Sequence, residues 1–170
     1  LVFASVFSDA TEEIIALDAL SLEFRFQFGS EFLCDVRESV LVGDELFVGD
    51  RFVKRDEDGN EIRCYGRIQV FSMTGQHLRE IRSAEDKDWG DLSNLQYLSG
   101  RLYFIDYHEH RSRFVVLTPE GQQLQTLVLA SQDSYPHMCV FDDLLIRSST
   151  IDENVFEKTP HSSLIAVKRM

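Results

Sequence analysis

The chain has 170 residues, of which 44% are hydrophobic, and a formal net charge of -12 at pH 7. This length can bury the core of one ordinary domain, and no apolar run reaches the roughly 20 residues of a membrane-spanning helix. The acidic charge disfavours binding to nucleic acid or to an anionic membrane, and it suits a protein partner with a basic surface. Three cysteines without metal-type spacing predict no disulfide framework, which favours an intracellular compartment.

The first predicted strands form a shortened copy of a pattern that recurs along the chain. This copy matches Leu46–Phe52 at an offset of 45 residues, which places Ser5 at the position of Asp50. Polar and apolar residues alternate in its last strand, as is typical of a half-buried strand. The strands predicted for this copy are Leu1–Phe7, Ile14–Leu17 and Leu22–Phe26.

The second copy predicts four short strands joined by tight turns. Gly43-Asp44 is a two-residue hairpin signal between apolar residues. Gly75 lies in the turn before the last strand, where a positive φ is needed. Residues Arg51–Gly66 are charged and rich in turn formers, so an exposed loop is predicted there. The predicted strands are Val40–Val42, Leu46–Gly49, Arg67–Phe71 and His77–Ile81.

The third and fourth copies repeat the same order of strands and turns. Asp106 follows Asp50 by 56 residues, whereas Gly121 follows Gly75 by 46, so the second copy carries 10 extra residues between its middle strands. The third copy is predicted at Leu95–Leu98, Leu102–Ile105, Arg113–Leu117 and Leu124–Leu129, and the fourth at Met138–Phe141, Leu144–Ile146 and Ser163–Val167.

A repeat of roughly 45 residues with four antiparallel strands is typical of a β-propeller blade. We therefore predict an all-β chain that forms a single propeller domain of about four blades, over residues 1–28, 34–82, 92–130 and 137–170. The outer blades have three predicted strands each. These incomplete blades favour a segment of a larger propeller, and a closed ring of four blades is the alternative.

One stretch of the second copy resembles a known repeat family. Gly66–Leu78 reads GRIQVFSMTGQHL and is similar to the NHL-repeat consensus, in which a similar run leads into a glycine turn. Leu46–Asp50 resembles the strand of that family that ends in Val-Ala-Asp. The resemblance covers Ser39–Ile81 well and Leu95–Leu127 in part. It implies a propeller that binds partners, and some NHL propellers bind RNA.

Two groups of residues are candidates for a site. Asp50 and Asp106 end equivalent strands, and their recurrence favours a structural role in which each carboxylate accepts backbone N–H groups of the following loop. Gly75 and Gly121 are likewise predicted to be structural repeat positions. Metal ligation is the competing chemistry, and its candidate ligands are His108, His110 and His137. A metal site needs three or four convergent ligands, so no metal or other cofactor is favoured.

The favoured function is a non-catalytic scaffold module for protein–protein contact, which could be a subunit of a larger assembly. The predicted contact residues are Lys54, Arg55, Asp56, Glu57 and Trp89, although a lone tryptophan more often folds back onto its own sheet. The alternatives are a metal-dependent hydrolase or lyase built on a propeller and an RNA-binding NHL module.

Overall fold

Every described element of the chain is a β-strand. The computed structural model describes the backbone of residues 1–8, 11–84, 88–108, 111–128, 137–141, 144–149 and 163–169, and side chains within 1–6, 12–84, 88–107 and 112–128. No helix lies in these ranges, so the predicted all-β class is confirmed. It follows that none of the described residues forms an apolar helix long enough to cross a membrane.

The described strands form four antiparallel sheets in chain order. Their grouping into three, four, four and three strands confirms the predicted number of strands in each copy. The first two sheets contain β1 (Val2–Ser8), β2 (Thr11–Leu17), β3 (Phe24–Phe28), and then β4 (Val36–Val42), β5 (Glu45–Arg55), β6 (Glu61–Ser72) and β7 (His77–Ile81). The last two contain β8 (Asp91–Leu98), β9 (Arg101–His108), β10 (Arg111–Leu117), β11 (Gln123–Val128), and then β12 (His137–Phe141), β13 (Leu144–Ser149) and β14 (Ser163–Arg169).

The chain divides into two compact units, Leu1–Ser93 and Asn94–Met170. In the first unit, one face of β1–β3 packs on β4–β7, and the rings of Phe28 and Phe71 lie 5.1 Å apart. In the second unit, β9 and β10 share a separate apolar cluster. The first core contains Ile14, Leu33, Leu46, Val48 and Phe71, and the second contains Tyr103, Ile105, Phe114 and Val116.

A shared bulge relates the first three sheets to one another. In each sheet, the ladder between the last two strands shifts register at one point. The shift falls directly before Leu17 in β2, Phe71 in β6 and Leu117 in β10. A bulge fixes local register, so these three residues hold equivalent positions.

This equivalence corrects the predicted alignment of the first copy. Leu17 pairs with Val2, and Phe71 pairs with Leu46. Val2 therefore corresponds to Leu46, an offset of 44 residues (from 2 to 46), and the predicted offset of 45 is wrong. Val6 thus holds the position that was assigned to Ser5. Side chains alternate between the two faces of a strand. A shift of one residue in the alignment therefore assigns every side chain of β1 to the opposite face.

The predicted loop over Arg51–Gly66 is wrong, because β5 and β6 stay paired through most of it. The ladder runs from Arg51 opposite Gly66 to Arg55 opposite Glu61, and we call residues 51–66 the arm. Near its base, the rings of Phe52 and Tyr65 lie 4.9 Å apart. Cross-strand contacts of this kind hold a hairpin whose faces are mostly solvated, so a regular apolar pattern is not required.

Two glycines close the turns between the last two strands of the complete sheets. Gly75 has a φ of +82° and Gly121 a φ of +94°, a conformation that costs other residues about 1 kcal/mol or more. Gly75 also lies against the first sheet, since a Cβ there would lie 2.7 Å from the Phe28 ring. This turn therefore fixes both the hairpin and the packing of one sheet on the other.

An ion pair on the second sheet gives a pH-dependent prediction. Both carboxylate oxygens of Glu45 accept hydrogen bonds of 2.7 Å from Arg79, which lower the Glu45 pKa from its ordinary value of 4.5 although burial opposes the change. This contribution to stability is present above pH 4.5 and is lost as the pH falls through the lowered pKa. We expect Glu45→Gln to cost less than about 1 kcal/mol at neutral pH because the pair is partly exposed. Denaturation at about pH 7 and pH 3 should show a smaller loss of stability in the variant than in the wild type.

Candidate functional site

Asp50 is the centre of a buried polar network in the first unit. It lies on β5 directly opposite Arg67 of β6, and its Oδ2 accepts a 2.7 Å hydrogen bond from the Arg67 Nε. Its Oδ1 accepts backbone N–H bonds of 2.8 Å from Cys34 and Asp35. These two residues precede β4, so the expectation that the carboxylate binds the loop after its own strand is wrong. The carboxylate, which belongs to β5, instead joins β6 to the segment directly before β4.

The same pair recurs in the second unit. Asp106 of β9 lies opposite Arg113 of β10, and the Arg113 Nε donates a 2.6 Å hydrogen bond to its Oδ2. Both aspartates are fully buried. A buried carboxylate needs a partner of this kind, because an unpaired charge would cost several kcal/mol.

The Asp50 network continues across the sheet to β7. The Arg67 guanidinium also donates to Glu80, whose carboxylate accepts a 2.8 Å bond from the Gln69 amide. Gln69 Oε1 in turn accepts a bond from the Nε2 of His77. Burial disfavours the charged form of Glu80, but its arginine and glutamine partners keep its pKa below the ordinary value. The charged and polar groups of this face therefore satisfy one another.

A cavity of about 280 Å³ opens beside this network. Arg67, Gln69, His77 and Glu80 contribute its polar wall. Phe32 stacks on the His77 ring at 4.0 Å between ring centroids, and its backbone oxygen accepts a bond from Arg67. Because the polar groups are already bonded to each other and the aromatic faces are already stacked, the cavity wall is mainly structural.

The four predicted contact residues of the arm fall into two pairs. Asp56 organises the tip, since its carboxylate accepts backbone N–H bonds from Asp58 and Asn60. Arg55 donates to Glu61 across the hairpin. These two residues therefore hold the arm itself. The side chains of Lys54 and Glu57 are exposed, which leaves them accessible to a partner.

Trp89 lies inside the first unit. Its side chain is 2% exposed, and its backbone oxygen accepts a 2.7 Å bond from the N–H of Gly66 at the base of the arm. This placement agrees with the interpretation that the tryptophan folds back onto its sheet. It also removes Trp89 from the contact surface, because a buried ring is not accessible to a partner.

The candidate metal ligands cannot be assembled from the described residues. The side chains of His108 and His137 and the whole of His110 lie outside them. Among the side chains that are described, no group of three or more His, Cys, Asp or Glu residues is arranged to hold a metal ion. Cys34 and Cys64 are free thiols.

Sequence reasoning missed Arg67 and Arg113, which pair with the two buried aspartates. The signal was present, because the second and third copies each have an aspartate at the end of the second strand and an arginine at the start of the third. Antiparallel pairing places the end of one strand beside the start of the next. The 10 additional residues in the second copy obscured this relation, because they separate Asp50 from Arg67 more widely than Asp106 from Arg113.

Comparison with known proteins does not reveal the family of this chain. No protein-family model matches the sequence, and no curated protein matches it with significant similarity. The likeness of Gly66–Leu78 to NHL repeats therefore stays a prediction from the sequence.

Proposed function

We propose that this chain is part of an NHL-like β-propeller and acts as a non-catalytic module that binds a protein partner through the arm. The observation that carries the proposal is the arm itself. The ladder of β5 and β6 continues five residue pairs past the Asp50–Arg67 pair, whereas β9 and β10 continue for only two pairs past Asp106–Arg113. The second and third sheets thus share a common scaffold, and the arm is the element in which they differ.

The repeated core supports the propeller. The second and third sheets share strand order, the bulge before the last residue pair and the buried Asp–Arg pair. Sheets of this kind each bury both faces by stacking on neighbours, which is how repeat architectures gain stability. Asp50 and Asp106, the recurring polar residues, are used to join strands, which supports the scaffold role.

The surface of the arm supports partner binding. The tip of the arm and the parts of β5 and β6 next to it are exposed. Ile62 is a large apolar residue, yet 56% of its surface is accessible. Glu57 and Asp58 place two carboxylates beside the turn. An exposed apolar side chain next to acidic groups suits a partner surface with a small apolar pocket and a basic rim.

The test is a shortened arm. We would replace Arg55–Ile62 with Asn-Gly, a two-residue turn that joins the paired residues Lys54 and Arg63. We would immobilise the wild-type and shortened chains and quantify the proteins that each retains from an extract of the source organism. The protein whose retention differs most between the two chains would then be purified, and its binding would be measured directly. We expect affinity to fall at least about tenfold in the shortened chain and to weaken with added salt, because salt screens exposed charges.

Arg25→Ala is the matched control, since it removes an exposed charge of the first unit that pairs with Asp18 away from the arm. Trp89 emission should be the same in all three proteins if the core is intact. Partner binding that is unchanged by the shortened arm would contradict the proposal.

A further inference from the structure

The cavity beside the buried polar network has a wall that is held in place. One side of it is the segment before β4, where the N–H groups of Phe32 and Leu33 each donate a 2.8 Å hydrogen bond to the Gly29 oxygen. The Phe32 oxygen accepts a bond from Arg67, and the Phe32 ring stacks on His77. A wall that is already ordered lowers the entropic cost of binding a ligand.

The size and apolar lining of the cavity suit one long side chain. Its volume is about 280 Å³, whereas pockets for drug-sized ligands start at about 300 Å³. Phe32, Leu33 and Phe52 contribute an apolar surface that can cover an aliphatic stem. The cavity therefore matches a single inserted side chain better than a nucleotide or a whole strand of a partner.

Negative charge predominates around the cavity. Among the described side chains, Glu31 and Glu80 line it, and the carboxylate of Asp50 bonds to its wall from behind. The guanidinium groups of Arg67 and Arg82 bond to Asp50 and Glu80. Three carboxylates against two guanidinium groups leave an excess of one negative charge, which attracts a cation.

Two carboxylates of the cavity can accept hydrogen bonds from that cation. The Oε1 of Glu80 accepts a bond from Arg82, and its Oε2 accepts bonds from Arg67 and Gln69. A carboxylate has about four acceptor sites, so this network uses three of them. Glu31 lines the cavity and is exposed, and its carboxylate can therefore turn towards an incoming group without breaking the buried network.

We propose that the cavity receives an arginine side chain of the protein partner, an inference that rests on the proposed function. The stem of this arginine lies against the apolar lining, and its guanidinium donates to Glu31 and Glu80. Arginine is favoured over lysine because a guanidinium is more weakly hydrated and loses less on leaving water. Arginine is also a frequent anchor of protein interfaces. Phe52 belongs both to the cavity and to the base of the arm, so one partner can contact both.

Titration of the full chain with short peptides tests this inference. The probe is a pentapeptide with blocked termini that carries one arginine between two pairs of glycines, and its match carries citrulline, which has a similar shape without the charge. We expect the arginine peptide to shift the NMR signals of the His77 ring and to bind at least about tenfold more tightly than the citrulline peptide. Glu31→Gln should weaken binding of the arginine peptide at least about tenfold, because a hydrogen bond between charged groups is lost.

Glu23→Gln is the matched control, because it removes one exposed carboxylate of the first unit at a residue that does not line the cavity. Equal losses in Glu31→Gln and Glu23→Gln would reveal only the general attraction of an acidic chain and would overturn the inference. Equal binding of the arginine and citrulline peptides would also overturn it. A lysine peptide that binds as tightly would overturn the choice of arginine, and tighter binding of the free amino acid arginine would overturn the assignment to a protein partner.

The shortened arm separates this inference from the proposed function. It keeps Phe52 and the other residues that line the cavity, so it should bind the arginine peptide as the wild type does. Partner binding that depends on the arm, together with peptides that do not distinguish arginine from citrulline, would leave the proposed function standing and refute the arginine anchor. The opposite pair of results would refute the role of the arm and leave the cavity as a site for arginine.

Discussion

Replacing Asp50 with alanine is expected to destabilise the first unit by about 3–5 kcal/mol, the cost of breaking a buried ion pair. The Arg67 guanidinium would stay buried without its Asp50 partner and keep only Glu80 and the Phe32 oxygen, and the N–H groups of Cys34 and Asp35 would lose their acceptor. The free energy of unfolding can be measured with urea and Trp89 fluorescence, since Trp89 is the one tryptophan in the sequence and lies inside this unit.

Arg25→Ala provides the control for this experiment. Its ion pair with Asp18 is exposed, so the expected loss is below about 1 kcal/mol. The double variant Asp50→Ala with Arg67→Met should lose less than the sum of the two single losses, because the two side chains contact each other. A cost for Asp50→Ala no greater than that for Arg25→Ala would show that the pair does not hold the strands together.

Gly66→Ala is expected to cost about 3 kcal/mol or more, at the upper end for added volume in a packed interior. A Cβ at this position would lie 2.1 Å from the backbone oxygen of Gly90, and backbone cannot rotate away as a side chain can. The strain would also act on the hydrogen bond from the Gly66 N–H to Trp89. Urea denaturation should show a lower midpoint, and the Trp89 emission should shift towards longer wavelength.

Gly59→Ala separates this clash from the general cost of removing a glycine. Gly59 lies at the tip of the arm, where a Cβ meets no atom within 4 Å. Because Gly59 has a φ of +85°, alanine at this position is still expected to cost about 1 kcal/mol of stability. Similar losses in the two variants would mean that Gly66 and Gly90 are not in close contact in solution.

Most of the strand pattern could be predicted from the sequence, because it depends on local spacing. Apolar runs separated by Gly43-Asp44 indicated a hairpin, and hairpins determine which strands are neighbours. This turn is found at the predicted residues. The pairing of β5 and β6 through the arm was missed because strands are recognised by a regular apolar pattern. A hairpin whose two faces are in solvent does not need that pattern.

Register and site geometry could not be predicted in the same way. Matching Leu1 with Leu46 was the better fit of residue types, but the bulge before Leu17 and Phe71 shows that Val2 corresponds to Leu46. The error changes the face on which each side chain of β1 lies. Asp50 was found because it recurs, whereas its acceptor role towards Cys34 and Asp35 depends on a segment that is distant in the sequence.

The sequence by itself determined the all-β class, the order of the strands and their grouping into sheets, because these depend on contacts between residues close in the chain. Only the tertiary structure decided which face of the first sheet is covered, that Trp89 is buried beside Gly66, and that Asp50 joins three segments. Those features depend on packing between segments many residues apart, and a one-residue change of register alters them without changing the local pattern.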